Sequence, residues 1–208
     1  MQTAGTTLAV PWFEKGDGSP SPFLLATKMN DQTITTARLT LRPFQPADAP
    51  RVRMLADNAE IAQMVASFPH PYPEGLAEKW IALHPARRAA GTGFPFAIES
   101  DGVVIGSMGV ESEERGDFEL GYWLGRAYWG RGYASEAATA MMAFAFGQRR
   151  LPYVRSRYIN DNPASKRVLI KTGFLATGRS TLFHKVRARE VEITHVILTR
   201  DAWAPKQV

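Results

Sequence analysis

The chain has 208 residues, 45% of them hydrophobic, which is enough for one well-buried core and short for two. It contains no cysteine, which excludes disulfides, thiolate metal sites and a cysteine nucleophile and agrees with a reducing, cytoplasmic setting. A formal net charge of +5 favours an anionic ligand or partner. No stretch reaches the roughly 18 apolar residues of a membrane span. His70, His84, His184 and His195 lack ligand spacing, so neither a membrane nor a metal is expected.

Residues 1 to 33 include "PWFEKGDGSPSPF", turn-rich and without a helical or alternating period, and read as an extension to a single domain over 34 to 208. The ordered pattern begins at "ARLTLRPF", whose alternation of Leu39 and Leu41 with Arg38, Thr40 and Arg42 predicts a half-buried strand. Helices are expected over "QPADAPRVRMLADN", over 58 to 66, and over 74 to 89 after the turn "FPHPYP". "FPFAIES" and "VVIGSMGVE" form a hairpin about Asp101 and Gly102. In "DFELGYWL", Phe118, Leu120, Tyr122 and Leu124 take one face and Glu119, Gly121 and Trp123 the other. A glycine loop follows, then a helix over 133 to 147 with a narrow alanine and methionine stripe. The remainder gives a strand at 153 to 159, a helix at 163 to 172 and strands at 174 to 184 and 189 to 199. That order implies a mixed sheet with helices on its faces. His195 alternates with Val191, Ile193 and Ile197 and reads as a satisfied core histidine.

A strand that runs through a glycine turn into a helix presents free backbone N–H groups at the positive end of a helix dipole, which is an anion site. Glycine there permits positive φ and removes the β-carbon that would hold a phosphate away. "GRGYAS" at 130 to 135 fits a dinucleotide fingerprint poorly, because Ser135 stands at its third small position and Leu151 and Pro152 where an acid belongs. It fails as a P-loop, having no lysine. A second segment, "NDNPASKRVLIKTGF", writes a helix from Asn162 as N-cap and Pro163 at the first position to Gly173 as C-terminal cap.

With these three segments in order, "ARLTLRPFQPADA", "FELGYWLGRAYWGRGYASEA" and "NPASKRVLIKTGF", residues 36 to 200 resemble the GNAT superfamily of acetyl-CoA-dependent N-acetyltransferases, in its RimJ/RimL-like branch. The resemblance implies an α+β fold, with a central mixed, mostly antiparallel twisted sheet of about seven strands flanked by about four helices. It implies acetyl-CoA as cosubstrate, with Arg131, Gly132, Tyr133, Ala134 and Ser135 meeting the pyrophosphate and Tyr122, Trp123 and Leu124 pairing with the pantetheine arm. Arg126, Trp129 and Gly130 complete the loop side; Trp129 stands where the superfamily pattern has Gln or Arg, a departure that matters little if amides do the binding. Asn162 is expected both to cap its helix and to contact the pantetheine, and Arg167, with Lys166, to meet a ribose phosphate.

For the chemistry, the resemblance implies Glu119 as base, directly or through a water, and a backbone N–H near Tyr122 or Trp123 for the oxyanion. The tyrosine acid of many members is replaced by Leu169, which leaves Ser165, or departure as free thiolate, to complete the leaving group. His70 and Tyr72 are expected to line the acceptor site. The acceptor is an amine, either a protein N-terminus or a small molecule. Nucleic acid is disfavoured as a partner and a homodimer is allowed. The missing tyrosine also prompts a competing reading, a non-catalytic acyl-CoA-binding or ribosome-associated module.

Overall fold

The computed structural model describes residues 33–112 and 117–203; most of the expected N-terminal extension lies outside these residues. In chain order the elements are β1 (Ile34–Thr35), β2 (Thr40–Arg42), α1 (Ala49–Ala56), α2 (Ala59–Met64), α3 (Leu76–Ala82), α4 (His84–Ala90), β3 (Gly93–Ser100), β4 (Val103–Ser112), β5 (Phe118–Leu124), α5 (Tyr133–Ala143), β6 (Tyr153–Ile159), α6 (Pro163–Thr172), β7 (Leu175–His184) and β8 (Arg189–Thr199). The strands form one sheet in the order β1-β2-β3-β4-β5-β6-β8-β7. Every neighbouring pair is antiparallel except β5 and β6. That exception follows from the chain: α5 supplies the crossover that a parallel pair requires.

Strand alternation sends side chains to two helical layers. On one face Phe94, Phe96, Met108, Val110 and Leu120 pack against Ala137, Ala138, Met141 and Met142 of α5, whose small residues let the helix lie close. On the other, Ala97, Val104 and Trp123 lie beneath Val52 and Ala56 of α1 and Ala77, Trp80 and Ile81 of α3. Burial of each large side chain here is worth about 1.5–3 kcal/mol. Local signals set the ends of the helices. The Asn58 side chain accepts from the amides of Glu60 and Ile61 to start α2, and Gly173, at φ 111°, closes α6.

The counts exceed the expected seven strands and four helices: eight strands and six α-helices are present among the described residues. β1 is a two-residue strand, too short to show alternation. The helix expected over 74 to 89 is split at Leu83, where Pro85 lacks the amide that would carry the α3 ladder onward. The strand expected from residue 37 is confined to three residues ending before Pro43. After Ala143 the chain widens into a π-turn, Phe144–Gln148, that buries Phe144, Ala145 and Phe146. His195 is half-buried rather than a core residue. Its Nε2 lies 2.8 Å from the Ser180 hydroxyl on the edge strand β7, most of whose residues are exposed.

Candidate active site

β5 pairs with β4 along its whole length but shares a single register pair with β6, Glu119 with Arg155. Past that point the two strands diverge. Ser156 Oγ donates to the Leu120 carbonyl at 2.9 Å, closing the apex of the gap. Backbone groups along a diverging edge need partners other than a ladder, and a ligand can supply them. The opening is a cleft of about 630 Å³, within the size range of small-ligand sites. Glu119, Gly121 and Trp123 line it from one face of β5 and Leu120, Tyr122 and Leu124 from the other, so it passes through the sheet.

The glycine loop forms the mouth on the α5 side. Gly130 and Gly132 have φ of 75° and 82°, the left-handed region that favours glycine, and Gly132 is the N-cap of α5. The first-turn amides of Tyr133, Ala134 and Ser135 have no carbonyl one turn back and are available to an anion. Trp129 Nε1 donates to the Leu124 carbonyl at 2.8 Å, which fastens the loop to the end of β5. From the β1–β2 turn, Arg38 donates to the Arg131 carbonyl at 2.9 Å and to Glu136 Oε2 at 2.7 Å, while Thr36 donates to Glu136 Oε1 at 2.7 Å. Burial opposes it, yet these hydrogen bonds hold the Glu136 carboxyl below its usual range. Its charge is therefore met by Arg38 at the helix end where an anion would sit.

Trp129, Gly130, Gly132, Tyr133, Ala134 and Ser135 line the cleft, as do Tyr122, Trp123, Leu124, Asn162, Ser165 and Arg167. Arg126 and Arg131 do not. Arg126 pairs with Glu60, outside the lining, at 2.7 Å and lies over the Trp129 ring, and the Arg131 guanidinium lies over the ring of Tyr128, so both cations sit against lining aromatics rather than in the lining themselves. His70 also departs from expectation: it lines a neighbouring cavity with Lys185 and Val186, its Nδ1 3.4 Å from Asp57. Tyr72 does line the main cleft, with its phenol pushed up to about 12 by burial and the nearby Glu78.

Asn162 Oδ1 accepts from the Ser165 amide at 3.0 Å, the expected cap, leaving its NH2 group for another partner. The Tyr122 hydroxyl lies 2.8 Å from Ser165 Oγ and 3.3 Å from the Ser165 carbonyl. Burial pushes this phenol up to about 12, the Ser165 contact opposing, so it carries its proton at neutral pH. Leu169, by contrast, is fully buried in the core. A phenol thus reaches the N-terminus of α6 from the strand. Strand alternation placed Tyr122 on the face opposite Glu119, the one signal for this contact in the sequence.

On that other face Glu119 pairs with Arg157 at 3.1 Å, both side chains about one-third exposed (36% and 33%). Arg157 lines the cleft without belonging to any motif, and Lys171 of the segment "NPASKRVLIKTGF" lines it too; alternation along "YVRSRYI" is the only sequence signal that sets Arg157 beside Glu119. Among the described residues no group of His, Asp and Glu is arranged to hold a metal, and no helix is long and apolar enough to cross a membrane.

A diverging parallel pair with an amide-bearing glycine loop on one side and a carboxylate on the other offers what a phosphate-bearing coenzyme and a proton transfer need. The chain belongs to the GNAT acetyltransferase family: the family model described as acetyltransferase (GNAT) domain matches residues 38–175. An uncharacterized N-acetyltransferase, p20, of Bacillus licheniformis is 24% identical over 176 residues, covering 83% of this chain and 99% of that protein. The [ribosomal protein uS5]-alanine N-acetyltransferase of Escherichia coli is 24% identical over 181 residues, 83% of this chain and 93% of its own. The solved structure of RimL, a ribosomal L7/L12 α-N-protein acetyltransferase in complex with coenzyme A, superposes with a TM-score of 0.75 at 18% identity over 82% of this chain and 99% of that one. The chain is thus an acetyl-CoA-dependent N-acetyltransferase of the GNAT family, and it is similar to enzymes of RimJ/RimL-like type.

Proposed function

We propose that residues 34 to 208 transfer an acetyl group from acetyl-CoA to a primary amine by direct attack on the thioester. The observation that carries this reading is the two-sided cleft, with the amides of α5 at one mouth and Glu119 on the opposite face of β5. In this reading the amides of Tyr133, Ala134 and Ser135 hold the pyrophosphate, the free edge of β5 from Tyr122 to Leu124 aligns the pantetheine arm, the Asn162 NH2 bonds one of its amides, and Arg167 meets a ribose phosphate.

Glu119 accepts the proton of the attacking amine, directly or through a water, while Arg157 balances its charge. As nitrogen bonds to the carbonyl carbon, a β5 backbone N–H near Tyr122 or Trp123 stabilises the oxyanion; the carbon–sulfur bond then breaks. Ser165 Oγ–H protonates the departing thiolate while the Tyr122 hydroxyl, 2.8 Å away, passes its proton to Ser165 Oγ, and water restores the phenol proton. The test is amine-dependent release of coenzyme A thiol from acetyl-CoA by the full chain. Absence of release with every primary amine tried, together with no thermal stabilisation by acetyl-CoA, would refute the reading.

A further inference from the structure

The deep end of the cleft, on the face of the sheet that carries Glu119, is walled by Ile61, Met64, Phe68, Tyr72, Trp123 and Ile159. Phe68 joins its aromatic part, with ring centroids 5.9 Å from Tyr72 and 5.4 Å from Trp123, both edge-on. The charged side chains at this end are the paired Glu119 and Arg157; the other two lining cations, Arg167 and Lys171, belong to α6. Glu78 lies near the Tyr72 phenol but outside the lining, and three other carboxylates nearby have partners. Asp57 accepts from the Tyr72 amide at 2.9 Å and lies near His70, Glu60 pairs with Arg126, and Asp161 pairs with Arg187 and Arg189.

The same end is roofed by the turn between β7 and β8. Arg187, with its side chain only 10% exposed, donates to the Gln63 carbonyl at 2.9 Å and to Asp161 at 2.7 Å, and lies 3.7 Å from Met64 Sδ. These contacts tie the hairpin to the end of α2 and to the turn before α6, and Leu182 and Ile193 of the hairpin continue the apolar wall.

One ammonium group has a counter-ion here. A second or third would give up its hydration against apolar walls with no carboxylate but Glu119 in the lining to receive it, a cost of several kcal/mol. An uncharged hydrocarbon body gains about 25 cal/mol per Å² buried on the same wall. The pinned hairpin stands over this end and borders, through Lys185 and Val186, the neighbouring cavity that shares Ala66, Ser67 and Phe68 with it; a small body fits the walled end without entering that cavity.

We propose that the acceptor is a small primary monoamine whose nitrogen is borne by an uncharged aromatic or branched aliphatic body; this rests on the acetyltransferase reading above. The test follows thiol release by the full chain with phenethylamine, isoamylamine, spermidine, kanamycin and a short peptide with a free N-terminus, beside calorimetric titration with acetyl-CoA alone. Phenethylamine or isoamylamine is expected to exceed the other three in kcat/KM by about 100-fold. Phe68→Ser is expected to raise the KM for phenethylamine about tenfold with the KM for acetyl-CoA unchanged; if that variant does not fold, the wild-type panel decides. Preference for spermidine, kanamycin or the peptide, or acetyl-CoA binding without turnover of either monoamine, overturns the proposal and leaves the coenzyme site standing. Failure to bind acetyl-CoA overturns the acetyltransferase reading and this proposal with it.

Discussion

The Tyr122 hydroxyl of β5 stands 2.8 Å from Ser165 Oγ at the start of α6, linking the strand that would align the thioester to the helix that would protonate its leaving group. The phenol is held protonated by burial, with its proton value pushed up to about 12. Where it donates to Ser165 Oγ, the serine proton is left free, as the proposed leaving-group step requires.

Tyr122→Phe keeps the buried ring and removes this donor. Its kcat is expected to fall about tenfold, and that of Ser165→Ala further, within the range of single acid–base groups. The double variant should be no slower than Ser165→Ala alone, because the phenol acts through the serine. Steady-state kinetics of the three variants check this; additive losses would show that Tyr122 acts independently.

The coenzyme mouth depends on backbone shape. Gly132 has φ 82°, and a β-carbon there would also come within 3.4 Å of the Arg38 guanidinium. Gly132→Ala is expected to lose about 1–2 kcal/mol of stability from the left-handed conformation. It should also raise the KM for acetyl-CoA about tenfold. Arg38→Met, which releases the Arg131 carbonyl and Glu136, should raise the same KM while leaving the amine KM unchanged. Thermal melts and the two KM values separate these effects.

His84 gives the fold an acid sensitivity. It is 5% exposed, with its ring 4.5 Å from Trp80 and 5.3 Å from Phe44, and both nitrogens lack a hydrogen-bond partner. Burial, then the charges of Arg87 and Arg88, lower it from an ordinary 6.5 to about 3. The unfolded chain therefore takes up the proton first. Stability is unaffected by this group above pH 6.5 and falls as pH drops from 6.5 towards about 3, by roughly 1.4 kcal/mol per unit. His84→Leu should reduce the acid-dependent loss relative to the parent chain, as read by urea unfolding at pH 7 and pH 5.

Much of this was legible in residues because it is written locally. Asn162, Pro163 and Gly173 bound α6 where the sequence sets them, and the alternation of β5 assigns Glu119 and Tyr122 to opposite faces. The glycine loop and the helix after it announce an anion site by backbone chemistry alone. What was hidden depends on long-range packing. Arg157 pairs with Glu119 across a strand gap, Arg38 reaches Glu136 from nearly one hundred residues away, and His195 is half-exposed because β7 is an edge strand. Alternation gives the faces of Arg157 and His195 but names no partner for any of the three. His70, Arg126 and Arg131 follow the same logic: their motifs give their positions along the chain, but contacts with Asp57, Glu60 and the Tyr128 ring, which no local pattern announces, set where their side chains lie.

Glu119 is where these lines meet, and Glu119→Gln tests the chemistry most directly because it keeps the shape of the side chain and removes its capacity as a base. The measurement is single-turnover acetyl transfer to an amine from pH 6 to 9, paired with calorimetric binding of acetyl-CoA. The expected result is unchanged coenzyme affinity with transfer slowed about 100-fold at neutral pH and recovering as pH rises towards the free amine's own pKa. Full transfer rate by Glu119→Gln across that range would contradict the assignment of Glu119 as the base.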